Sequence, residues 1–412
     1  MGVGMNADGC CLTGLALSIE DVEALLRESL SPVEGEALEL NAAVGRILTE
    51  PVNASNDMPP FDAAAMDGYA LRVSDLVGTG PWRLPITFRV AAGDGVGVLP
   101  RAQCARVFTG APVPKGADCV VMQEHVQLDG HDVVFCLRPE IGANIRPGGQ
   151  DRREGAQVLT AGRRLDARAM LAAAASGAGK ISVKRKLRIA VLTTGAELVP
   201  TGSVLRPGQI WDANGPMLRA ALADPTIALD HAMLALDSVE EQAEHLRTLG
   251  THDLIFTTGG VSVGEEDRLA AAIVWAGGKA RVLRLAIKPG QHLVVGSLGR
   301  AVILALPGNP VSAFVGFHLF GRYAIDLLLG HKRQERVLTG RLAEPLRRKP
   351  GRREYRPVRI RGYGTDGCPI VDLAPTDFSA RSAWFGSADA LAVLSEECST
   401  MDARDKIELV ML

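Results

Sequence analysis

Aromatic residues are scarce in this 412-residue chain, at 4%, and there is no excess of charge of either sign. Its 45 Lys and Arg stand against 47 Asp and Glu, a formal net charge of −2. That balance excludes a general electrostatic pull toward nucleic acid or an anionic membrane, so an anionic ligand must be held by a local constellation. Cysteine is sparse as well. Cys10, Cys11, Cys104, Cys119, Cys136, Cys368 and Cys398 form no C-x-x-C pair, and an odd count makes a poor disulfide framework. Without paired ligand spacing a zinc site is disfavoured, and free thiols in a reducing compartment are expected. The N-terminus lacks the basic and apolar regions of a signal peptide. No unbroken apolar run reaches about 18 residues, so no membrane-spanning helix is expected. The expected setting is cytoplasmic, with neither nucleic acid nor membrane as partner.

What is present is length and rhythm. A chain of 412 residues exceeds what one hydrophobic core usually supports, which predicts several domains. Residues 1 to about 17 are Gly-rich and irregular. Ser18 with Asp21 approximates a capping box, and Val22, Leu25, Leu26 and Leu30 follow at helical spacing. A second helix-like stretch runs over 40–48, before Pro51. From 51 to 140, punctuation by Pro59, Pro60 and Gly68 and strand-like runs at 84–90, 105–108, 119–122 and 133–137 indicate a β-rich module. An Ala-rich helix over 167–176 closes at Gly177. Between 186 and 330, strand-like runs at 187–192, 228–236, 254–257, 293–295 and 301–306 alternate with helices near 215–223, 238–249, 266–276 and 310–329. That alternation predicts a parallel sheet covered on both faces. Beyond Gly330, strand-like runs at 355–360, 390–394 and 407–411 suggest a small β domain.

In open α/β sheets ligands bind where strands end, because the loops there expose backbone N–H groups and helix N-termini. Four such loops carry unusual residues: Thr193 to Glu197; Thr257 to Gly264, followed by Glu265, Glu266 and Asp267; Leu306 to Ser312; and Ile287 to Gly290. Each has a plain structural reading. Gly259-Gly260 can be a tight turn, Asn309-Pro310 a helix start, and Lys288 a solvated lysine. Their convergence at one sheet edge would instead build an anion pocket. Neither G-x-G-x-x-G nor G-x-x-x-x-G-K-[ST] occurs in this sheet, which argues against a dinucleotide fold and a P-loop. Carboxylates accompany these loops: Asp67, Asp151, Glu197, Asp237 and Asp267. Asp67-Gly68 alone reads as a hairpin turn. Carboxylates beside a phosphate repel it unless a hard cation bridges them, which points to Mg²⁺ polarising a pyrophosphate.

The order of these motifs resembles the molybdopterin molybdotransferase family, which includes the E domain of gephyrin and its plant counterpart. The matching stretches are Phe61-Asp62 through Ala65-Met66-Asp67-Gly68-Tyr69, Thr109-Gly110-Ala111-Pro112, Ile145-Arg146-Pro147-Gly148 leading to Asp151, and Gln209-Ile210-Trp211-Asp212. The strongest are Gly259 to Gly264 and Leu306 to Ala313. The resemblance spans roughly residues 18–412. It implies a multidomain α/β plus β fold. Residues 18–53 with 141–185 would form an elongated helical, linking domain, and 54–140 an inserted β-rich domain. Residues 186–330 would form a parallel-sheet molybdopterin-binding domain, and 331–412 a C-terminal β domain.

It further implies a homodimer whose β-rich part completes the partner's site. A client molybdoenzyme or a molybdopterin adenylyltransferase would be a further partner. The implied reaction starts from adenylylated molybdopterin: Mg²⁺-dependent hydrolysis of its pyrophosphate releases AMP, and molybdate passes to the dithiolene sulfurs. Residue by residue, Asp67, Thr109, Asp151, Glu197, Asp237 and Asp267 match the catalytic cleft, with Asp67, Glu197 and Asp267 the metal candidates. Thr194, Gly195, Gly259, Gly260, Ser262, Gly264, Pro307, Gly308, Asn309 and Ser312 match the pterin and phosphate cradle. Lys288, Arg352 and Ser379 match the molybdate positions, where fixed cationic donors suit a dianion.

The departures are specific. The family's Lys-Pro-Gly-Lys-Pro is Lys288-Pro289-Gly290-Gln291-His292 here, which removes one positive charge unless His292 is protonated. Ala63-Ala64 replaces Asn-Ser, Gln150 and Ala196 replace acidic residues, and Ser379-Ala380 replaces Ser-Gly. Lost charges of both signs are compatible with a compensated enzyme, with insertion of tungstate, or with a paralogue that carries the cofactor without making it.

Overall fold

The structure, a computed structural model, describes residues 16–234, 238–259, 268–331 and 337–412. It divides into two compact units. One comprises Lys184–Leu412 with Gly45–Ile47 and the segment ending at Glu36; the other comprises Ala37–Val44 and Leu48–Val183.

The larger unit begins with the capping box expected from sequence. Ser18 Oγ accepts from the Asp21 amide at 3.1 Å, and the Asp21 carboxylate accepts from the Ser18 amide at 2.9 Å. The helix Ile19–Ser29 then buries Val22 and Leu26 in a core shared with Ile189, Phe256 and Phe320. At the centre lies a six-stranded sheet in the order Ile227–Leu234, Leu187–Thr194, Leu254–Thr258, Ala301–Leu306, His292–Leu298, Lys279–Arg284. Adjacent residues point to opposite faces. Leu254 and Phe256 therefore enter one core, while Ile255 enters another with Ile303, Leu269 and Ile273. Both faces are covered, as the alternating pattern predicts.

The expected parallel sheet is present, with one strand reversed. The first four strands are parallel, but His292–Leu298 is antiparallel to both of its neighbours. Only Gly299 and Arg300 separate it from Ala301–Leu306, and Gly299 has φ +58°. A two-residue link joins antiparallel strands; a parallel pair needs a crossover of a dozen residues or more.

The helical stretch Pro310–Leu329 is, by length and composition alone, apolar enough to cross a membrane. Here 67% of it is buried against the sheet, so its apolarity belongs to the core. After it, Val337–Leu342, Arg353–Tyr363, Pro369–Leu373, Ala390–Leu394 and Lys406–Met411 close into a five-stranded barrel, because the long strand pairs with both Pro369–Leu373 and Ala390–Leu394. Leu342, Val358, Val371, Ala392 and Leu409 fill it. The short strand Ile287–Lys288 adds to its edge, parallel to Arg353–Glu354.

The smaller unit holds a six-stranded mixed sheet, ordered Cys119–Met122, Gly68–Leu71, Cys104–Val107, Trp82–Val90, Asp132–Phe135, Gln127–Asp129. Leu71, Leu84, Val133 and Phe135 pack on one side, and Ala70, Val90, Val107 and Val120 on the other. Cys104 and Cys119 are free thiols inside it, each pushed up to about 12 by burial, which makes them inert. The Ala-rich helix is Ala167–Ala175, capped by Asp166. The helix expected over 40–48 is only a 3₁₀ turn, Leu40–Ala43, because Gly45 takes a left-handed φ of +75°.

Candidate functional site

Three parallel strands of the larger unit end in register. Thr193 lies opposite Thr258, and Thr258 opposite Leu306. Their loops therefore emerge side by side. Gly259, at φ +96°, could carry no Cβ, which would sit 2.2 Å from the Thr194 carbonyl oxygen. A Cβ on Gly308 would meet Gly259 Cα at 3.6 Å. The Thr194 hydroxyl donates to the Thr258 carbonyl at 3.2 Å. The third loop starts a helix: Asn309 Oδ1 accepts from the amides of Val311 at 3.1 Å and Ser312 at 3.2 Å, and Pro310 occupies the first turn.

Thr194, Gly195, Gly259, Pro307, Gly308, Asn309 and Ser312 are thus brought together as the sequence suggested. Gly260, Ser262 and Gly264 lie outside the described residues. Sequence reasoning missed Asn214, whose Nδ2 donates to the Gly308 carbonyl at 2.8 Å. Its Oδ1 is buried without a partner among the described residues. Asp212 holds the start of the same helix, accepting from the Thr193 hydroxyl at 2.7 Å and the Gly215 amide at 2.9 Å. The available signal was Asp212-Ala213-Asn214 immediately ahead of a helix.

The barrel edge adds formal charge. Lys288 Nζ is 3.5 Å from Glu354 Oε1 and 5.9 Å from the centre of the Phe378 ring. Ser379 follows Phe378 in the 3₁₀ turn Phe378–Ala380. Phe378 packs on Val311 and Ala374, and Gly290 approaches the Ser312 carbonyl, so this corner is tied to the helix start of the cradle. Arg352 reaches Gln291 Oε1 at 3.5 Å. Where the resembling family has a second lysine, this chain offers a neutral acceptor to an arginine.

In the smaller unit Asp67 and Thr109 are joined. Asp67 Oδ1 accepts from the Thr109 amide at 2.8 Å and from its hydroxyl at 2.7 Å. These bonds hold its carboxyl below the usual carboxylate range, the amide bond contributing most. Asp67-Gly68 is not the hairpin turn that the dipeptide alone suggests. Gly68 opens a strand, and a Cβ there would lie 2.1 Å from the Val121 carbonyl of the neighbouring strand. Asp151 is exposed and bonds elsewhere: its amide donates to the Met58 carbonyl, and Arg152 stands 3.4 Å from its carboxylate.

Glu197 is exposed at the end of Leu187–Thr194, with its carboxylate against Gly195 and no ion-pair partner among the described residues. Asp237 and Asp267 lie outside the described residues. Among those described, no three His, Cys, Asp or Glu side chains gather as a metal site. An open cavity of about 880 Å³, lined by Arg219, Asp224, Ile227 and Leu229, lies along the first half of the edge strand. The cradle lies at the opposite ends of the strands, and the convergence of loops there carries more weight than the cavity.

Comparison with known proteins agrees along most of the chain. Residues 190–326 match a family described as a probable molybdopterin binding domain. Residues 17–177 match the MoeA N-terminal region (domains I and II), and residues 339–412 the MoeA C-terminal region (domain IV). A molybdopterin molybdenumtransferase of Haemophilus influenzae is 35% identical over 325 residues, covering 77% of this chain and 78% of that protein. A molybdopterin molybdenumtransferase 2 of Mycobacterium tuberculosis is 31% identical over 407 residues, covering 95% and 98%. The crystal structure of a molybdopterin biosynthesis MoeA protein from Pyrococcus horikoshii superposes with a TM-score of 0.79 at 26% identity, covering 96% of this chain and 99% of that one.

Proposed function

The chain belongs to the MoeA family of molybdopterin molybdenumtransferases, and from that premise we propose that it inserts molybdate into adenylylated molybdopterin with release of AMP. The observation that carries this reading is the pairing of two unlike surfaces in one unit: an uncharged backbone cradle at Gly259, Gly308 and Asn309, and a cationic corner at Lys288 joined to it through Val311 and Phe378. A phosphate ester with several directed oxygens suits backbone N–H groups and a helix N-terminus. A small oxyanion stripped of water suits fixed cations.

In this reading Thr194, Gly195, Gly259, Gly260, Ser262, Gly264, Pro307, Gly308, Asn309 and Ser312 hold the pterin and its phosphate. Lys288, Arg352 and Ser379 orient molybdate. Asp67 is ionised at neutral pH like an ordinary aspartate, and the Thr109 bonds that stabilise its charged form make it a still weaker base. It suits orienting water or a cation better than abstracting a proton.

Mg²⁺ fits the donor set as a lightly held ion. Glu197 is an uncommitted carboxylate beside the cradle, and Asp267 follows the neighbouring loop in sequence. These two would hold it, with most of its coordination left to phosphate oxygens and water. When bound, the ion polarises the pyrophosphate and offsets charge on departing AMP. Homodimerisation, a cytoplasmic setting and delivery to a client molybdoenzyme complete the proposal; the buried thiols of Cys104 and Cys119 support a reducing compartment.

The test is a single-turnover assay of purified protein with adenylylated molybdopterin, Mg²⁺ and molybdate, following AMP release and reconstitution of an apo-molybdoenzyme. Molybdate-dependent AMP release with active reconstituted enzyme is expected. Tight pterin binding without AMP release would overturn the catalytic reading and leave a cofactor carrier, with Gln291 the natural suspect.

A further inference from the structure

The corner beneath Lys288 contains a charge arrangement that the transfer reaction does not by itself require. Glu354, 1% exposed, is the register partner of Lys288 across two parallel strands. Its Oε1 accepts from Arg356 Nε at 2.7 Å and faces Lys288 Nζ at 3.5 Å; its Oε2 faces Arg348 Nε at 3.2 Å. Arg348 and Arg356 are nearly as buried as the carboxylate, with side chains 5% and 3% exposed. Lys288, at 34%, is the one member of this group with an outlet to solvent.

Three cations therefore share one carboxylate. Buried charges are tolerated when they are paired, and among the described residues the pairing here falls short by two negative charges. Arg348 extends the arrangement, donating from Nη2 to the Arg352 carbonyl at 2.5 Å. One carboxylate thus fixes both the ammonium of Lys288 and, through Arg348, the backbone that carries Arg352.

We propose that Glu354 is a positioning residue for oxyanion binding: it sets Lys288 and Arg352 at the pocket wall and leaves the positive excess that a tetrahedral dianion neutralises. This rests on the placing of the oxyanion at Lys288. Glu354 touches no substrate itself. Its role is geometric, acting through the two cations: its own charge opposes an oxyanion, so its loss weakens binding only by releasing Lys288 and Arg352 from their places. With Gln291 in place of a lysine, the excess of positive charge below would still leave the corner cationic.

The experiment is equilibrium dialysis of molybdate against the full-length protein, with pterin binding measured in parallel, for Glu354→Gln and Glu354→Asp in the wild-type and Lys288→Gln backgrounds. Glu354→Gln should weaken molybdate about tenfold in the wild-type background and by a clearly smaller factor when Lys288 is already Gln, the remainder passing through Arg352, because coupled residues are non-additive. Glu354→Asp, which keeps the charge, should recover most of the loss and guards against a Gln variant that fails to fold. Pterin affinity should not change. Equal losses in both backgrounds, or a parallel loss of pterin binding, would reduce Glu354 to a structural ion-pair member and overturn the proposal. Wild-type protein that binds no molybdate would overturn both the oxyanion placement and the role of Glu354. Binding that follows the expected pattern without AMP release would sink only the transferase reading.

Discussion

At the strand ends of the α/β sheet the described residues offer glycine backbone, a capped helix start and little formal charge; the barrel edge offers Lys288 and Arg352 above a buried carboxylate. The cradle depends on where main-chain atoms can go. The corner depends on how many charges are held, and against what. A site of the first kind fails when a side chain intrudes, and one of the second kind when a charge is removed or released. The two regions should therefore respond to different substitutions, although Val311 and Phe378 pack them together.

Gly259→Ala should have the largest effect on that contrast. It forces a residue with a Cβ into φ +96° and drives the new atom against the Thr194 carbonyl. Strain of about 1–3 kcal/mol corresponds to roughly 5- to 150-fold weaker pterin binding, and molybdate uptake by dialysis should stay within about twofold. Comparable loss of both ligands would mean that the regions form one cooperative site. Asn214→Ala comes next. Removing the donor to the Gly308 carbonyl, and the unpartnered Oδ1 beside it, should weaken pterin by about three- to tenfold, the scale of one hydrogen bond. No change in pterin affinity would show that the loop holds its shape unaided.

The smallest effect is expected at Thr109→Ala, in the other unit. The Asp67 carboxyl loses one of two bonds to its charged form, so its titration, followed by carbon NMR, should move up toward the ordinary carboxylate value. The sign follows from linkage. A carboxyl held low in the folded state gains from its bonds fully above the ordinary range and loses that gain as pH falls through its folded value. The variant should therefore lose turnover first at the acid end of the profile, and an unmoved Asp67 titration would assign the whole shift to the Thr109 amide.

Much of the fold was legible along the chain, and so was part of the site. The capping box at Ser18 needs only Asp21, three residues on, and it forms as expected. The strands Leu187–Thr194, Leu254–Thr258 and Ala301–Leu306 carry continuous apolar runs because both of their faces are covered. The loops that follow them could be picked out by glycine, proline and asparagine at strand ends. Where local reasoning failed, a distant partner was responsible. Asp67-Gly68 looks like a turn until Val121, more than fifty residues away, brings its carbonyl to within reach of any Cβ. Asn214 looks like an ordinary helix-start residue until its amide meets Gly308.

The sequence by itself determined the alternation of strand and helix, the positions of the glycine- and proline-bearing loops at the strand ends and the order of motifs that marks the family. These depend on periodicity and on backbone preferences that act within a few residues. Only the tertiary structure decided that His292–Leu298 runs antiparallel to both of its neighbours, that five other strands close into a barrel, and that one glutamate among many gathers Lys288, Arg348 and Arg356. Strand pairing, and the desolvation that gives a charge its weight, are set by which surfaces meet in space, and spacing along the chain does not encode that meeting.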